Sequence, residues 1–241
     1  ASVPLMRGVS VVVGCLAAIC VYLLGCRMFD RRAGLWAAIV WATTYLSIYE
    51  VRFARHDVYL VASVALAMLG VWKAWARERG GWWIAGIGLI LAFQVKGPVS
   101  WVLTIFPACI YAATKRPIRW RFIGGMLGLG LLAGLTLLPW YFKVRAMVAE
   151  DVTSRYLWET VGRVGSKKAP FEWPWYYLQF FAYMMPWTIY FVAALIVPFE
   201  RRFQARAEPM RWAWMWLVAA LVLMSLPREK TARYVTPLVA P

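Results

Sequence analysis

Between two long apolar runs lies one compact charged segment, Glu50 to Asp57, with the sequence EVRFARHD. It holds two carboxylates, two arginines and the single histidine of the chain. The flanking runs, 34–48 and 58–71, are suited to a lipid bilayer, so the segment lies at or just inside a membrane surface. Ionisable groups there are costly unless they are paired or functional. Each of them is therefore a candidate for binding or catalysis.

Asp57 is the candidate in this segment for acid–base chemistry. It follows Arg55 by two residues and immediately precedes the apolar run that begins at Val58. If Asp57 is buried beside Arg55, the arginine keeps the carboxylate ionised. An ionised carboxylate can act as a general base or orient an acceptor nucleophile. The same position also suits the N-cap of a helix that starts at Val58, and the two roles are compatible.

A second candidate is the turn Lys96-Gly97-Pro98, which separates the apolar runs 82–95 and 99–113. Gly and Pro end one helix and begin the next, and a new helix N-terminus favours an anion beside the ammonium group. Two interpretations stay open for this lysine: contact with lipid head groups, or a shared site for a phosphate or pyrophosphate lipid. They apply equally to the cations of the other short outer turns, namely Arg52, Arg55, Arg228, Lys230 and Arg233.

The composition shows which elements must position these residues. Of 241 residues, 63% are hydrophobic and 16% charged, and the mean hydropathy is +0.60. Soluble domains have roughly 45–50% hydrophobic residues and about 25% charged residues. A polytopic membrane protein of the all-α class follows, since lipid cannot satisfy an open backbone. At about 20 residues per span, we predict helices at 5–26, 33–49, 58–76, 82–95, 98–114, 122–142, 175–199 and 212–227, with a ninth that begins near Tyr234.

The short basic loops predict the orientation. Four of them carry the cation sets Arg27/Arg31/Arg32, Lys73/Arg77/Arg79, Lys115/Arg116/Arg119/Arg121 and Arg201/Arg202/Arg206/Arg211. By the positive-inside rule these loops are cytoplasmic. The segment Glu50–Asp57, Lys96, the loop at 143–174 and the turn at 228–233 then lie on the outer, periplasmic side. Tryptophans and tyrosines concentrate at the predicted span ends, as an interfacial belt does; a sugar-binding platform at 173–177 is the alternative.

Several classes of chemistry are disfavoured. The chain has no P-loop, GxGxxG, HExxH or Ser-His-Asp pattern, and its loops leave no room for a cytosolic nucleotide-binding domain. The four cysteines lie in or beside apolar spans without metal-site spacing, so packing is their expected role. We expect membrane lipids among the partners and no nucleic acid.

Taken in order, several short motifs resemble the family 39-type membrane glycosyltransferases. The motifs are Gly34-Leu-Trp-Ala-Ala, Ala54-Arg-His-Asp57, Lys96-Gly-Pro98, Leu138-Pro-Trp-Tyr141, Trp158-Glu-Thr-Val-Gly-Arg163, Pro174-Trp-Tyr-Tyr177, Pro186-Trp187 and Lys230-Thr-Ala-Arg-Tyr234. The resemblance covers nearly the whole chain. It is greatest to bacterial aminoarabinose (lipid A) transferases and their protein O-mannosyltransferase relatives.

This resemblance implies a GT-C-type fold and a function in the cell envelope. A sugar would pass from a polyprenyl-phosphate donor to lipid A, another glycan or a protein, at the periplasmic face of the bacterial inner membrane. By the family pattern, Asp57 is the catalytic residue. The donor phosphate is assigned to Arg55, Lys96, Lys230 and Arg233, and substrate or loop contacts to Arg163 and Tyr234. The resemblance leaves open whether the protein binds a divalent metal, and it assigns no metal ligand.

The same resemblance bears on the extent of the chain. We interpret residues 1–241 as a single transmembrane domain, truncated at both ends, with a periplasmic loop at about 143–174. The family's principal acidic residue lies in a first outer loop, upstream of Ala1. We therefore expect this fragment alone to be inactive.

The alternative function is a transporter or flippase for an anionic lipid-linked substrate. Such a protein would be expected to show charges at the bilayer midplane or broken-helix repeats. The interiors of the predicted spans lack Asp, Glu, Lys and Arg. One-sided chemistry is therefore the favoured interpretation.

Overall fold

The described part of the chain consists of helices joined by short turns. The computed structural model describes residues 3–147, 181–200 and 206–225, and these ranges contain no strand. In chain order the helices are α1 (Val3–Met28), α2 (Arg31–Thr43), α3 (Tyr45–Arg52), α4 (His56–Trp75), α5 (Gly81–Lys96), α6 (Val99–Leu103), α7 (Ile105–Ala113), α8 (Trp120–Leu135), α9 (Leu138–Met147), α10 (Thr188–Ile196) and α11 (Ala207–Ser225). A 3-10 turn, Val197–Phe199, follows α10.

Three helical stretches are long and apolar enough to cross a membrane, namely Arg7–Met28, His56–Trp75 and Trp120–Met147. Gly81–Lys96, Val99–Ala113 and Thr188–Phe199 are shorter apolar helical stretches, the last two of which include a break or a 3-10 turn. These elements agree with the predicted class, an all-α membrane protein. The stretch His56–Trp75 is also the most enclosed of the three, so α4 is the central helix of the bundle.

The predicted span at 98–114 is wrong as a single helix, because the chain breaks at Thr104 between α6 and α7. Pro107 has no N–H group and cannot donate to the carbonyl oxygen of Leu103, four residues earlier. The indole Nε1 of Trp216, in α11, donates to that oxygen instead, at 2.8 Å. A buried tryptophan from a distant helix therefore satisfies the broken turn.

Two other predicted spans are also divided. The span at 33–49 breaks at Thr44, whose backbone is extended and whose Oγ1 donates to the carbonyl oxygen of Val40 at 2.6 Å. Such back-bonding by Ser or Thr bends helices. The span at 122–142 becomes α8 and α9, and α9 runs on to Met147. Pro139 near the start of α9 lacks the N–H group that a continuous helix would need.

Helices α4 and α5 form an antiparallel hairpin whose backbones are in direct contact. A methyl group added to Gly70 would overlap the backbone of Ala85, and one added to Gly88 would overlap the backbone of Ala67. Gly81 faces the backbone of α4 in the same way. Small residues permit this close approach between membrane helices. The contact fixes the register of the hairpin, so the beginning of α4 lies beside the end of α5.

The basic loops lie together at the opposite end of the bundle, as the alternating topology predicts. The ion pairs between them are Arg27–Glu78 (2.7 Å), Arg206–Asp30 (3.1 Å) and Lys115–Glu208 (3.4 Å). Asp30 also caps α2, and its carboxylate accepts a hydrogen bond from the N–H of Ala33 at 2.8 Å. This hydrogen bond, supported by Arg206, lowers the pKa of Asp30 below its usual value.

The close contact between α4 and α5 predicts the effect of enlarging its glycines. Gly70→Leu should destabilise the folded protein by about 3 kcal/mol or more, because the side chain must displace backbone atoms rather than side chains. Thermal unfolding in detergent measures the loss. Gly128→Leu in α8 is the matched control, since a Cβ there meets no atom within 4 Å. Equal stability of the two variants would contradict the interpretation.

Candidate functional site

The site begins with an ion pair between the two ends of the α4–α5 hairpin. Asp57 is the second residue of α4, and Lys96 is the last residue of α5. The ammonium Nζ of Lys96 pairs with Oδ1 of Asp57. The Asp57 side chain is 1% exposed and that of Lys96 is 16% exposed. Two residues that are 39 positions apart therefore form one buried charge pair.

The carboxylate of Asp57 has one oxygen in the ion pair and one oxygen enclosed by the protein. The carboxylate lies in the first turn of α4, where the helix dipole stabilises negative charge. Its second oxygen, Oδ2, is buried and has no hydrogen-bond partner among the described residues. Nε2 of the exposed His56 is 3.9 Å from Oδ2. Asp57 therefore keeps acceptor capacity on Oδ2, but a substrate reaches that oxygen only if the neighbouring side chains move.

Lys96 connects this buried pair to a cavity. The cavity has a volume of about 350 Å³ and is lined by Lys96, Gln94 and Trp140, among others. Gly97 ends α5 with φ +56° and ψ −133°, a conformation that favours glycine. Nε2 of Gln94 donates to the carbonyl oxygen of Thr136 at 3.2 Å and so ties α5 to the break between α8 and α9. The ammonium group is thus held between a carboxylate and an accessible space.

Arg55 belongs to a second ion pair, in which only the carboxylate is fully buried. Its Nη1 is 3.7 Å from Oε1 of Glu50, whose side chain is fully buried. Nη2 donates to the hydroxyl of Tyr49 at 3.4 Å, and the guanidinium lies 5.0 Å from the centre of that ring. Ala54 makes the reversal between α3 and α4 with φ +50°. The reversal returns Arg55 to the last turn of α3.

These contacts correct two expectations from the sequence. Arg55 is not the charge partner of Asp57; it pairs with Glu50, while Asp57 pairs with Lys96. Asp57 is also not the N-cap of its helix, because α4 begins at His56 and its N-cap is Arg55. Sequence reasoning did not pair Glu50 with Arg55, although Glu50 is buried and lies 3.7 Å from it. Its place one helical turn before the reversal was the available signal.

The remaining predicted site residues lie outside the described ranges. These are Arg163, Lys230, Arg233 and Tyr234. The aromatic segment at 173–177 and most of the loop at 143–174 also lie outside them. Within the ranges that are described, no group of three or more His, Cys, Asp or Glu side chains is placed to hold a metal ion.

Comparison with known proteins identifies the family. The model of the dolichyl-phosphate-mannose-protein mannosyltransferase family matches residues 4–142, which include Asp57, Lys96 and Trp140. The chain belongs to this family. The match confirms the resemblance on which the sequence assignments of Arg55, Asp57 and Lys96 rest.

Curated relatives in this family share one name. An undecaprenyl phosphate-alpha-4-amino-4-deoxy-L-arabinose arabinosyl transferase of Pseudomonas aeruginosa (strain LESB58) is 31% identical over 98% of this chain and 44% of its own length. A protein of the same name from Erwinia tasmaniensis is 26% identical over 94% of this chain and 42% of its own. The chain thus spans less than half the length of the curated relatives it matches.

Two crystal structures share the fold. ArnT from Cupriavidus metallidurans bound to undecaprenyl phosphate superposes with a TM-score of 0.78 at 21% identity, over 98% of this chain and 44% of that one. The apo state of the same protein superposes with a TM-score of 0.77 at 20% identity, over 97% of this chain and 43% of that one. These superpositions confirm the predicted GT-C-type fold.

The buried pair predicts a characteristic pattern of stability. Lys96→Met should lower the free energy of unfolding by about 3 kcal/mol, because it leaves the Asp57 carboxylate buried without a partner. The double variant Asp57→Asn/Lys96→Met should recover most of this loss, since it buries no charge. Unfolding of the four proteins in one detergent measures the coupling. Additive losses would show that the two groups do not interact.

Proposed function

We propose that this chain is part of a membrane glycosyltransferase that moves a sugar from a polyprenyl-phosphate donor to an acceptor. The family of the chain supports this proposal. So do the relatives named as undecaprenyl phosphate-aminoarabinose transferases and the related structure that holds undecaprenyl phosphate. The activity belongs to the whole protein, of which these residues supply the charged half-site around Asp57 and Lys96.

The observation that carries the proposal is the position of the Asp57–Lys96 pair. It is buried at the end of the bundle opposite the basic loops, and its lysine borders a cavity. A buried ion pair contributes little net stability, because the cost of removing two charges from water offsets their attraction. Its presence at a membrane edge is therefore better explained by the binding of a charged substrate.

Lys96 is suited to receive the phosphate of the donor. When the bond between the anomeric carbon and the phosphate oxygen breaks, its electron pair remains on that oxygen. An ammonium group aimed at the oxygen stabilises the charge that develops there. The acceptor oxygen attacks the anomeric carbon; a hydroxyl acceptor passes its proton to a base or to the released phosphate, whereas an ionised phosphate oxygen carries no proton to lose. We assign Arg55, Lys230 and Arg233 to the same phosphate, and Arg163 and Tyr234 to substrate contacts.

Asp57 fits two roles that an experiment separates. As a positioning residue it would hold the Lys96 ammonium towards the cavity. As a general base it would take the acceptor proton on Oδ2, after the side chains around it move. A phosphate acceptor such as one on lipid A needs no strong base, whereas a glycan or protein hydroxyl does. The geometry favours the positioning role, because Oδ1 contacts Lys96 and Oδ2 is enclosed.

A lipid flippase is the second candidate and is less well supported. The charged side chains of the described helices lie near helix ends, and the buried ones among them are Glu50 and Asp57. Alternating access would instead require a binding site near the bilayer midplane. Sugar release from the donor distinguishes the two functions, because a flippase leaves the glycosidic bond intact.

The proposal predicts the outcome of a transfer assay. The full-length protein is supplied with labelled undecaprenyl-phosphate sugar, and the release of undecaprenyl phosphate is followed. Lys96→Ala should lower kcat about 100-fold or more, as for loss of a group that stabilises transition-state charge. Asp57→Asn should also lower kcat. It should leave the pH profile of kcat unchanged if Asp57 positions Lys96, and remove the acid limb if it is the base.

Two matched variants control for charge and packing. Asp30→Asn removes a carboxylate at the other end of the bundle, where Asn is an equally good helix cap. Lys73→Ala removes a lysine that is 17% exposed and lies 3.9 Å from Glu78. Both should retain the activity of the unmodified protein. Undiminished release by the Asp57 and Lys96 variants would overturn the assignment of this site.

We further propose that this end of the bundle faces the periplasm and that the protein resides in the bacterial inner membrane. His56→Cys and Arg79→Cys test the orientation in a full-length background with the other cysteines replaced. The His56 side chain is 64% exposed, and Arg79 is exposed at the opposite end. An impermeant maleimide should label position 56 in cells with a permeabilised outer membrane, and position 79 only after the inner membrane is broken. The reverse pattern would reject this orientation.

A further inference from the structure

A second, larger cavity lies at the basic end of the bundle, far from Asp57 along the length of α4. Its volume is about 1260 Å³. The end of α4, the start of α5, the connection from α7 to α8 and the start of α11 surround it. None of the described residues that we assign to the transfer reaction lines this cavity.

The cavity is lined by an excess of positive charge. Its ionisable residues are Arg77, Lys115, Arg116, Arg119, Arg121 and Glu208. Five cations and one carboxylate leave a net charge of +4. The carboxylate is already engaged, because Oε1 of Glu208 accepts a hydrogen bond from Nε1 of Trp75 at 3.1 Å and lies 3.4 Å from Nζ of Lys115. An incoming anion would therefore meet cations that outnumber the carboxylates of the described residues around the cavity.

Part of this cluster is fixed in place. The guanidinium of Arg119 stacks 4.0 Å from the centre of the Trp75 ring and donates to the Trp75 carbonyl oxygen at 3.2 Å. Lys115 lies 4.4 Å from the centre of the Tyr111 ring. Arg119 therefore keeps its position without a carboxylate, and Lys115 is held by both the Tyr111 ring and Glu208. Helices α5 and α8 also begin at the cavity, and their N-terminal dipoles favour an anion there.

Three other cations complete the set. Arg77, Arg116 and Arg121 are exposed and form no ion pair with any described residue. Arg77 adopts φ +59° just after the end of α4, a position where glycine is usual. A side chain there is strained, so the strain points to a role for this arginine.

The surroundings of the cavity indicate a lipid rather than a small soluble anion. Trp82 and Trp120, which also line it, are amphipathic and partly or largely exposed, as at a membrane interface. From the cavity, α5 and α8 continue with exposed apolar side chains such as Leu91 and Leu131. Acyl chains would lie against those side chains when a head group fills the cavity. Basic pockets of this kind bind anionic head groups.

We propose that this cavity binds the phosphate-bearing head group of an anionic membrane phospholipid. The site is separate from the Asp57–Lys96 pair and lies at the opposite end of the bundle. A free phosphate compound shares the same recognition chemistry, but it would make no use of the adjoining apolar faces.

Native mass spectrometry of the full-length protein in mild detergent tests the proposal. The probes are dioleoyl phosphatidylglycerol and dioleoyl phosphatidylcholine at equal concentration. The triple variant Arg77→Gly/Arg116→Gln/Arg121→Gln should retain phosphatidylglycerol about tenfold less than the unmodified protein. The matched control is Arg31→Gln/Arg32→Gln/Arg79→Gln, which removes the same charge from the same end without touching the cavity. It should retain the lipid nearly as well as the unmodified protein.

Three results would overturn the proposal. One is an equal loss of lipid in the triple variant and its control, which would show a general charge effect. Another is equal retention of phosphatidylcholine, which would show no selectivity for an anion. The third is displacement of phosphatidylglycerol by millimolar inorganic pyrophosphate or glycerol 3-phosphate, which would identify a soluble ligand.

Arg77→Gly alone separates binding from folding. Glycine relieves the left-handed backbone at this position, so the unfolding temperature should stay the same or rise. Phosphatidylglycerol retention should nevertheless fall severalfold, since one cation is lost from the cavity. Unchanged retention in this stable variant would contradict a role for Arg77 and for the site as defined here.

Discussion

The direct backbone contact between α4 and α5 is the constraint on which the candidate site depends. Association of helices in lipid gains little from hydrophobic burial and relies on close packing. Gly70 and Gly88 provide that packing from opposite sides of the hairpin, each against the backbone of the other helix. With the register fixed in this way, the first turn of α4 must meet the last turn of α5. The Asp57–Lys96 pair is a consequence of this register.

The two ends of the bundle use charge differently. At the basic end the ion pairs are partly exposed, and exposed pairs contribute only up to about 1 kcal/mol each. These pairs therefore add little to stability, and the distinguishing feature of this end is its excess of cations. At the other end the charges are few, and the carboxylates of Glu50 and Asp57 are buried. Such pairs gain little stability, which is why a chemical role is the better explanation of them.

Much of the fold could be predicted from apolar run lengths, and the grouping of charges by side followed from the alternation of loops. The helix breaks were harder to foresee. The broken turn at Leu103 is satisfied by Trp216, 113 residues away, and no local pattern reveals such a partner. The charge pairing was also misjudged, because Arg55 and Asp57 are neighbours in sequence. The reversal at Ala54 returns Arg55 to Glu50 and leaves Asp57 to the antiparallel helix.

This pairing has a consequence for how a phosphate could be held. Two carboxylates, Glu50 and Asp57, face two cations, Arg55 and Lys96, so the described half-site is close to neutral before any substrate arrives. A donor phosphate brought beside Lys96 adds negative charge that this group alone does not balance. Further cations are needed at the same face, and the late basic motif with Lys230 and Arg233 supplies that chemistry in the sequence. Lys96 would then contribute position, fixed by Asp57, while the later cations contribute the net charge.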